Sequence, residues 1–153
     1  TSKVNSVILS KDSYDANDGW GVMIKDGKLR YSIYGAADTN IDDTGAQVAD
    51  NNWHHIAVVH EADKYKFYVD GDLNIEKTST VVGAANNFDL RIGNKNLNYD
   101  TSTVAVNNIQ TEKSLQGAFD GLIDELKIYS KVLQKEEITA EYEALRVQAQ
   151  AMP

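Results

Sequence analysis

The chain has 153 residues, 42% of them hydrophobic, which is enough apolar material for one packed domain and argues against a disordered chain. Its 15 basic and 23 acidic residues leave a formal net charge of −8, which argues against nucleic-acid phosphates or an anionic membrane as partners and suits neutral sugars or cations. With no cysteine it has no disulfide, thiol nucleophile or cysteine zinc site, and no apolar run approaches the roughly 20 residues that cross a bilayer.

The opening Thr1-Ser2-Lys3 carries no initiator Met and no signal-peptide pattern, as expected of a processed or excised chain. Residues 6–10 (SVILS) are a compact apolar run, and 12–19 (DSYDANDG) are a polar loop. Residues 20–24 lead into Asp26-Gly27, and 29–34 return from it. An Asp-Gly pair between two apolar runs is a hairpin signal, because the turn needs residues that tolerate positive φ. In the returning run Leu29, Tyr31 and Ile33 share one face, and Arg30, Ser32 and Tyr34 the other.

Residues 35–52 are a largely polar stretch with an apolar blip at Val48. A strand is expected over 53–60 (WHHIAVVH), another over 64–69, and a third over 73–77 after a second Asp-Gly pair, Asp70-Gly71. Residues 88–92 (FDLRI) alternate and end at Gly93-Asn94. The Asn/Thr-rich stretch 94–113 is long for a connection, and such loops commonly carry function. Residues 119–129 (FDGLIDELKIY) are expected to form the last strong strand. The period then changes: Ile138, Tyr142 and Leu145 stand at helical spacing, which predicts a short amphipathic helix over about 134–147. Many short strands with frequent turn residues indicate one all-β antiparallel sandwich or barrel spanning 1–153, with no internal repeat.

Two segments carry a resemblance. Asn52-Trp53-His54-His55 opening an apolar strand, followed by Phe67-Tyr68-Val69-Asp70-Gly71, resembles the laminin-G-like pattern. Gly121-Leu122-Ile123-Asp124-Glu125, running on to Glu137-Ile138, is similar to that family's closing strand and short helix. Gly19-Trp20-Gly21 with Asp26-Gly27 is similar to an earlier family hairpin. The resemblance covers nearly the whole chain. It implies an antiparallel jelly roll of the laminin-G-like, concanavalin A-like lectin/glucanase kind with a short C-terminal helix. It also implies one or two strands ahead of residues 6–10, so strand complementation by another chain or by an N-terminal segment is an expected partnership.

Trp53, opening a strand, is expected in the core, and so is Trp20. His54 and His55 are adjacent on an expected strand and face opposite ways, while His54 and His60 are about 20 Å apart along it, so a histidine metal site is not expected. The concanavalin A-like glucanases, as the resemblance implies, carry alternating carboxylates on one strand. Here Asp124 and Glu125 are neighbours, and Asp120 and Asp124 are roughly 13 Å apart by strand rise. Glycosidases need about 5 Å or about 6.5–9.5 Å between carboxyls, so no enzyme is expected. Neither a Gly-x-Ser-x-Gly elbow nor a phosphate loop occurs. The resemblance further implies a structural Ca²⁺ near the closing strand, held by Asp124 and Asp120. The Asp/Asn-rich loop 12–19 misses the EF-hand spacing.

Sugar recognition wants an aromatic face and planar amides. The loop Asn94, Asn96, Asn98, Tyr99 and Asp100 supplies both, with Tyr14 and Tyr34 from neighbouring loops. The expected function is therefore a non-catalytic carbohydrate-binding or adhesion module of an extracellular or cell-surface, bacterial protein. Its partner would be a glycan or a surface protein. A structural or protein–protein module is the alternative, and an accessory domain of a glycoside hydrolase is a third.

Overall fold

The structure is a computed structural model and describes residues 6–13, 18–34, 46–78, 87, 89–94 and 118–151. Two antiparallel sheets face each other across a core, with one helix at the C-terminus: a β-sandwich of jelly-roll type. The first sheet contains β1 (Ser6–Ser13), β2 (Asp18–Lys25), β3 (Lys28–Tyr34) and β7 (Arg91–Ile92), in the order β3-β2-β1-β7. The second contains β4 (Ile56–Glu61), β5 (Lys64–Val69) and β6 (Asp72–Thr78), in chain order. The helix α1 covers Lys135–Ala151, longer at its C-terminal end than the apolar spacing implies.

Both Asp-Gly pairs form the expected turns. Asp26 and Gly27 have φ of 52° and 80°, and Asp70 and Gly71 have 54° and 83°. Two successive positive φ values suit the right-handed twist of the flanking strands. Each turn is also covered. The backbone N–H groups of Val48 and Ala49 donate to the Gly27 carbonyl at 2.8 and 3.1 Å. At the other turn Thr139 Oγ1 donates to the Gly71 carbonyl at 3.0 Å, and a Cβ on Gly71 would lie 2.9 Å from Tyr142 Cδ1.

The period-two pattern sorts the faces. Leu9, Val22, Ile24, Leu29, Tyr31, Ile33 and Val48 meet Tyr65 and Phe67 in the core between the sheets. Tyr31 is its aromatic hub, 5.5 Å from Tyr65, 5.8 Å from Phe67 and 6.4 Å from Trp20, ring centre to ring centre. Trp20 packs against this core as expected. The opposite face of the second sheet is covered in its turn: Val59 and Tyr68 pack on Ile138 of α1, with Ala57, Val132 and Leu133 around them. The Glu-Ile pair explains the start of that helix. Glu137 reaches back to accept the Gln134 N–H at 2.8 Å, satisfying a donor the helix cannot, while Ile138 is 1% exposed.

Three expectations need correction. The strand expected over 53–60 begins only at Ile56, because His54 and the N–H of His55 are held by Asp70. Trp53 is not in the core: it is 58% exposed, on the crossover that precedes β4. The described residues of the expected closing strand, 119–129, lie in no described sheet. Glu125 has φ of 50°, which breaks an extended path, and Leu122 and Ile128 are 75% and 63% exposed. The separation of Asp120 and Asp124 by regular strand rise therefore does not apply to this chain.

Candidate functional site

The crossover between the sheets passes from the Asp26-Gly27 turn to the Asp70-Gly71 turn. Gln47 bridges Lys28 at its start, and the Asp70 N–H donates to the His55 carbonyl at 2.9 Å at its end. Between them Asp50 accepts two bonds from Asn52, one from its N–H and one from Nδ2, each 2.9 Å. Asn51 takes the left-handed backbone this tight turn requires, with φ of 68°.

His54 closes the arrangement. Its Nδ1 is 2.9 Å from Asp70 Oδ2 and its Nε2 is 3.0 Å from Asp50 Oδ1. The other oxygen of Asp70 accepts the His55 N–H at 2.9 Å. Burial of the ring opposes its charge, but the bonds from Asp70 and then Asp50, with their negative charges, outweigh this. The imidazole is held above the ordinary value of 6.5. The Asn52 bonds first, then His54, hold the Asp50 carboxyl well below the usual carboxylate range. His55 behaves oppositely: burial pushes it down, offset in part by Glu141 and Asp70. Its ring lies against Tyr142 of α1, 6.1 Å between centres.

The two-carboxylate clamp on His54 was not anticipated. The strand register could have found it, since the pairing of Ile56 with Val69 across β4 and β5 sets Asp70 opposite His55.

The ligand candidates are brought together only in part. Gly93, with φ of 72°, turns the chain out of β7, and the Asn94 carbonyl accepts the Ser10 hydroxyl at 3.0 Å. Ser10 pairs with Gly21, and Gly21 with Ser32, so a row of small residues crosses the first sheet beside Asn94. Ser10 and Ser32 are fully buried. Tyr34 ends β3 in register with Gly19, two residues beyond that row. Tyr14, Asn96, Asn98, Tyr99 and Asp100 lie outside the described residues.

The two metal candidates are both exposed. Asp124 Oδ1 accepts the Glu125 N–H at 2.8 Å, so half of that carboxylate is already engaged. Calcium takes six to eight oxygens, and two exposed carboxylates fall well short of that number. Among the described residues no group of three or more His, Asp or Glu side chains is placed to hold an ion. No helix among them is long and apolar enough to cross a membrane.

The model of a laminin-G family, described as the concanavalin A-like lectin/glucanases superfamily, matches residues 1–139. No curated protein sequence matches the chain. Among solved structures it is similar to domains LG4-5 of the mouse laminin alpha1 chain, with 22% identity and a TM-score of 0.51, over 78% of this chain and 30% of that one. It is also similar to residues 221–444 of an S-layer domain-containing protein from Clostridium thermocellum, with 17% identity and a TM-score of 0.42, over 92% of this chain and 64% of that one. The chain thus spans less than two thirds of either neighbour.

Proposed function

The chain belongs to the laminin-G family of the concanavalin A-like lectin/glucanases superfamily, and from that premise we propose that it is a non-catalytic carbohydrate-binding or adhesion module of an extracellular or cell-surface protein. One observation supports this most directly. The left-handed Gly93 lays Asn94 against Ser10, which fixes the root of the amide- and tyrosine-bearing segment at the first sheet. A ligand loop anchored on a strand loses less entropy on binding than one anchored nowhere. Neutral sugars suit the net charge of −8.

The test is a screen of the chain against immobilised neutral oligosaccharides, run with added Ca²⁺ and with a chelator. Ca²⁺ enters as a condition because Asp120 and Asp124 supply only part of a calcium shell. Retention of a glycan that Asn94→Ala and Tyr34→Ala weaken supports the reading. Absence of retention under both conditions opposes it, and hydrolysis of a retained glycan opposes its non-catalytic part.

A second reading, a protein–protein module completed by a strand from another chain or an N-terminal segment, draws on a different observation. Leu122, Leu126 and Ile128 are 75%, 43% and 63% exposed along one stretch. Exposed apolar residues grouped in this way mark contact surfaces. Light scattering over a concentration range separates the readings, because a module completed by its own copies associates as concentration rises.

A further inference from the structure

Neutral imidazole carries one N–H and one bare lone pair, whereas imidazolium carries two N–H donors. Both ring nitrogens of His54 face carboxylate oxygens, Asp70 Oδ2 at 2.9 Å and Asp50 Oδ1 at 3.0 Å. A carboxylate only accepts, so the two contacts are both satisfied by imidazolium alone. In the neutral ring one nitrogen would point its lone pair at a negative oxygen 3 Å away.

The two carboxylates differ in what else holds them. Asp70 is locked into the β5–β6 turn, and its second oxygen accepts the His55 N–H. Asp50 sits on the crossover and keeps its Asn52 bonds without His54. Asp50 and Asp70 are the charged groups facing His54 from the crossover and from the turn. Glu141 and Lys127, the charges near the helix, act on His55 instead.

We infer that His54 is a proton-operated tie. Doubly protonated, it pins the crossover between the sheets to the β5–β6 turn; on losing one proton it keeps Asp70 and releases Asp50. Trp53 stands in the chain between Asp50 and His54 and is 58% exposed, so the protonation of His54 sets how its indole is presented. The inference stands apart from the binding reading, since it rests on the His54 geometry whatever the ligand.

The experiment is nitrogen-15 NMR of the histidine rings and backbone amides in the whole chain, titrated from mildly acid to mildly alkaline pH. His54 is expected to hold both ring protons at neutral pH and to titrate above the ordinary histidine value. The amides of Asn51, Asn52 and Trp53 are expected to shift with the same midpoint. Above it, they should exchange roughly ten-fold faster than the same amides below it, after correction for intrinsic exchange, as loss of one charge-assisted bond implies. In Asp50→Asn the midpoint falls and the amide response disappears, while Asp120→Asn leaves both in place. His54→Gln, which cannot titrate, serves if Asp50→Asn folds poorly, and it too should lack the response. A single neutral tautomer of His54 at neutral pH, or crossover amides indifferent to its titration, would overturn the inference.

Discussion

His54 and Asp70 are joined twice: Nδ1 of the ring lies 2.9 Å from one carboxylate oxygen, and the next backbone N–H lies 2.9 Å from the other. This joint closes the second sheet onto the crossover, and it makes stability depend on pH in a defined direction. A histidine whose pKa is raised on folding stabilises fully below its unfolded value of about 6.5. That contribution fades as pH rises through the folded value. Urea midpoints should therefore fall on the alkaline side, and the fall should be absent in His54→Gln. Asp50 works in the other direction. Its depressed carboxyl stabilises above the ordinary carboxylate range, and the benefit is lost as pH drops towards its folded value.

Phe67 is fully buried against Tyr31 at the centre of the core. Phe67→Ala should cost about 3–5 kcal/mol, the usual cost of emptying an aromatic site. A denaturation curve with a lower midpoint and an unchanged slope would show it.

Gly71 combines φ of 83° with Tyr142 packed over it. Gly71→Ala should cost about 1–3 kcal/mol from backbone strain, plus the clash. Adding Tyr142→Ala should recover the clash and leave the strain, so a double-mutant cycle should give a coupling of at least about 0.5 kcal/mol. A coupling near zero would mean that the helix does not press on this turn.

Ile138 is buried where the helix meets Val59 and Tyr68. Ile138→Ala should cost about 2–5 kcal/mol. Hydrogen exchange should quicken in α1 and in the outward face of β4 and β5, with β1 to β3 changed less.

Leu122 offers a contrast. At 75% exposure, Leu122→Asn should leave the stability of the isolated chain within about 0.5 kcal/mol. If the chain self-associates, the same change should weaken that association in light scattering.

Much of the sandwich was legible because its signals are local. Asp26-Gly27 and Asp70-Gly71 demand positive φ wherever they fall, and the alternation at Leu29, Tyr31 and Ile33 fixes a face regardless of partner. The spacing of Ile138, Tyr142 and Leu145 likewise sets the buried side of α1. What misled was context. Trp53 reads as core by residue type, but the His54 clamp ends the crossover before a strand can begin, and the indole stays outside. Residues 119–129 are as rich in apolar residues as a strand, yet the left-handed backbone at Glu125 leaves no mark in a hydrophobic pattern. Of the ligand candidates, Asn94 is fixed beside Ser10 and Tyr34 is placed in β3, and no periodic signal links the two.

The most direct measurement is glycan retention by the whole chain, compared with Asn94→Ala, with and without Ca²⁺. At least one neutral oligosaccharide is expected to be retained intact, with retention dropping at least several-fold in the variant while its urea midpoint stays close to that of the parent. No retention of any glycan under either condition, or cleavage of a retained one, would contradict it.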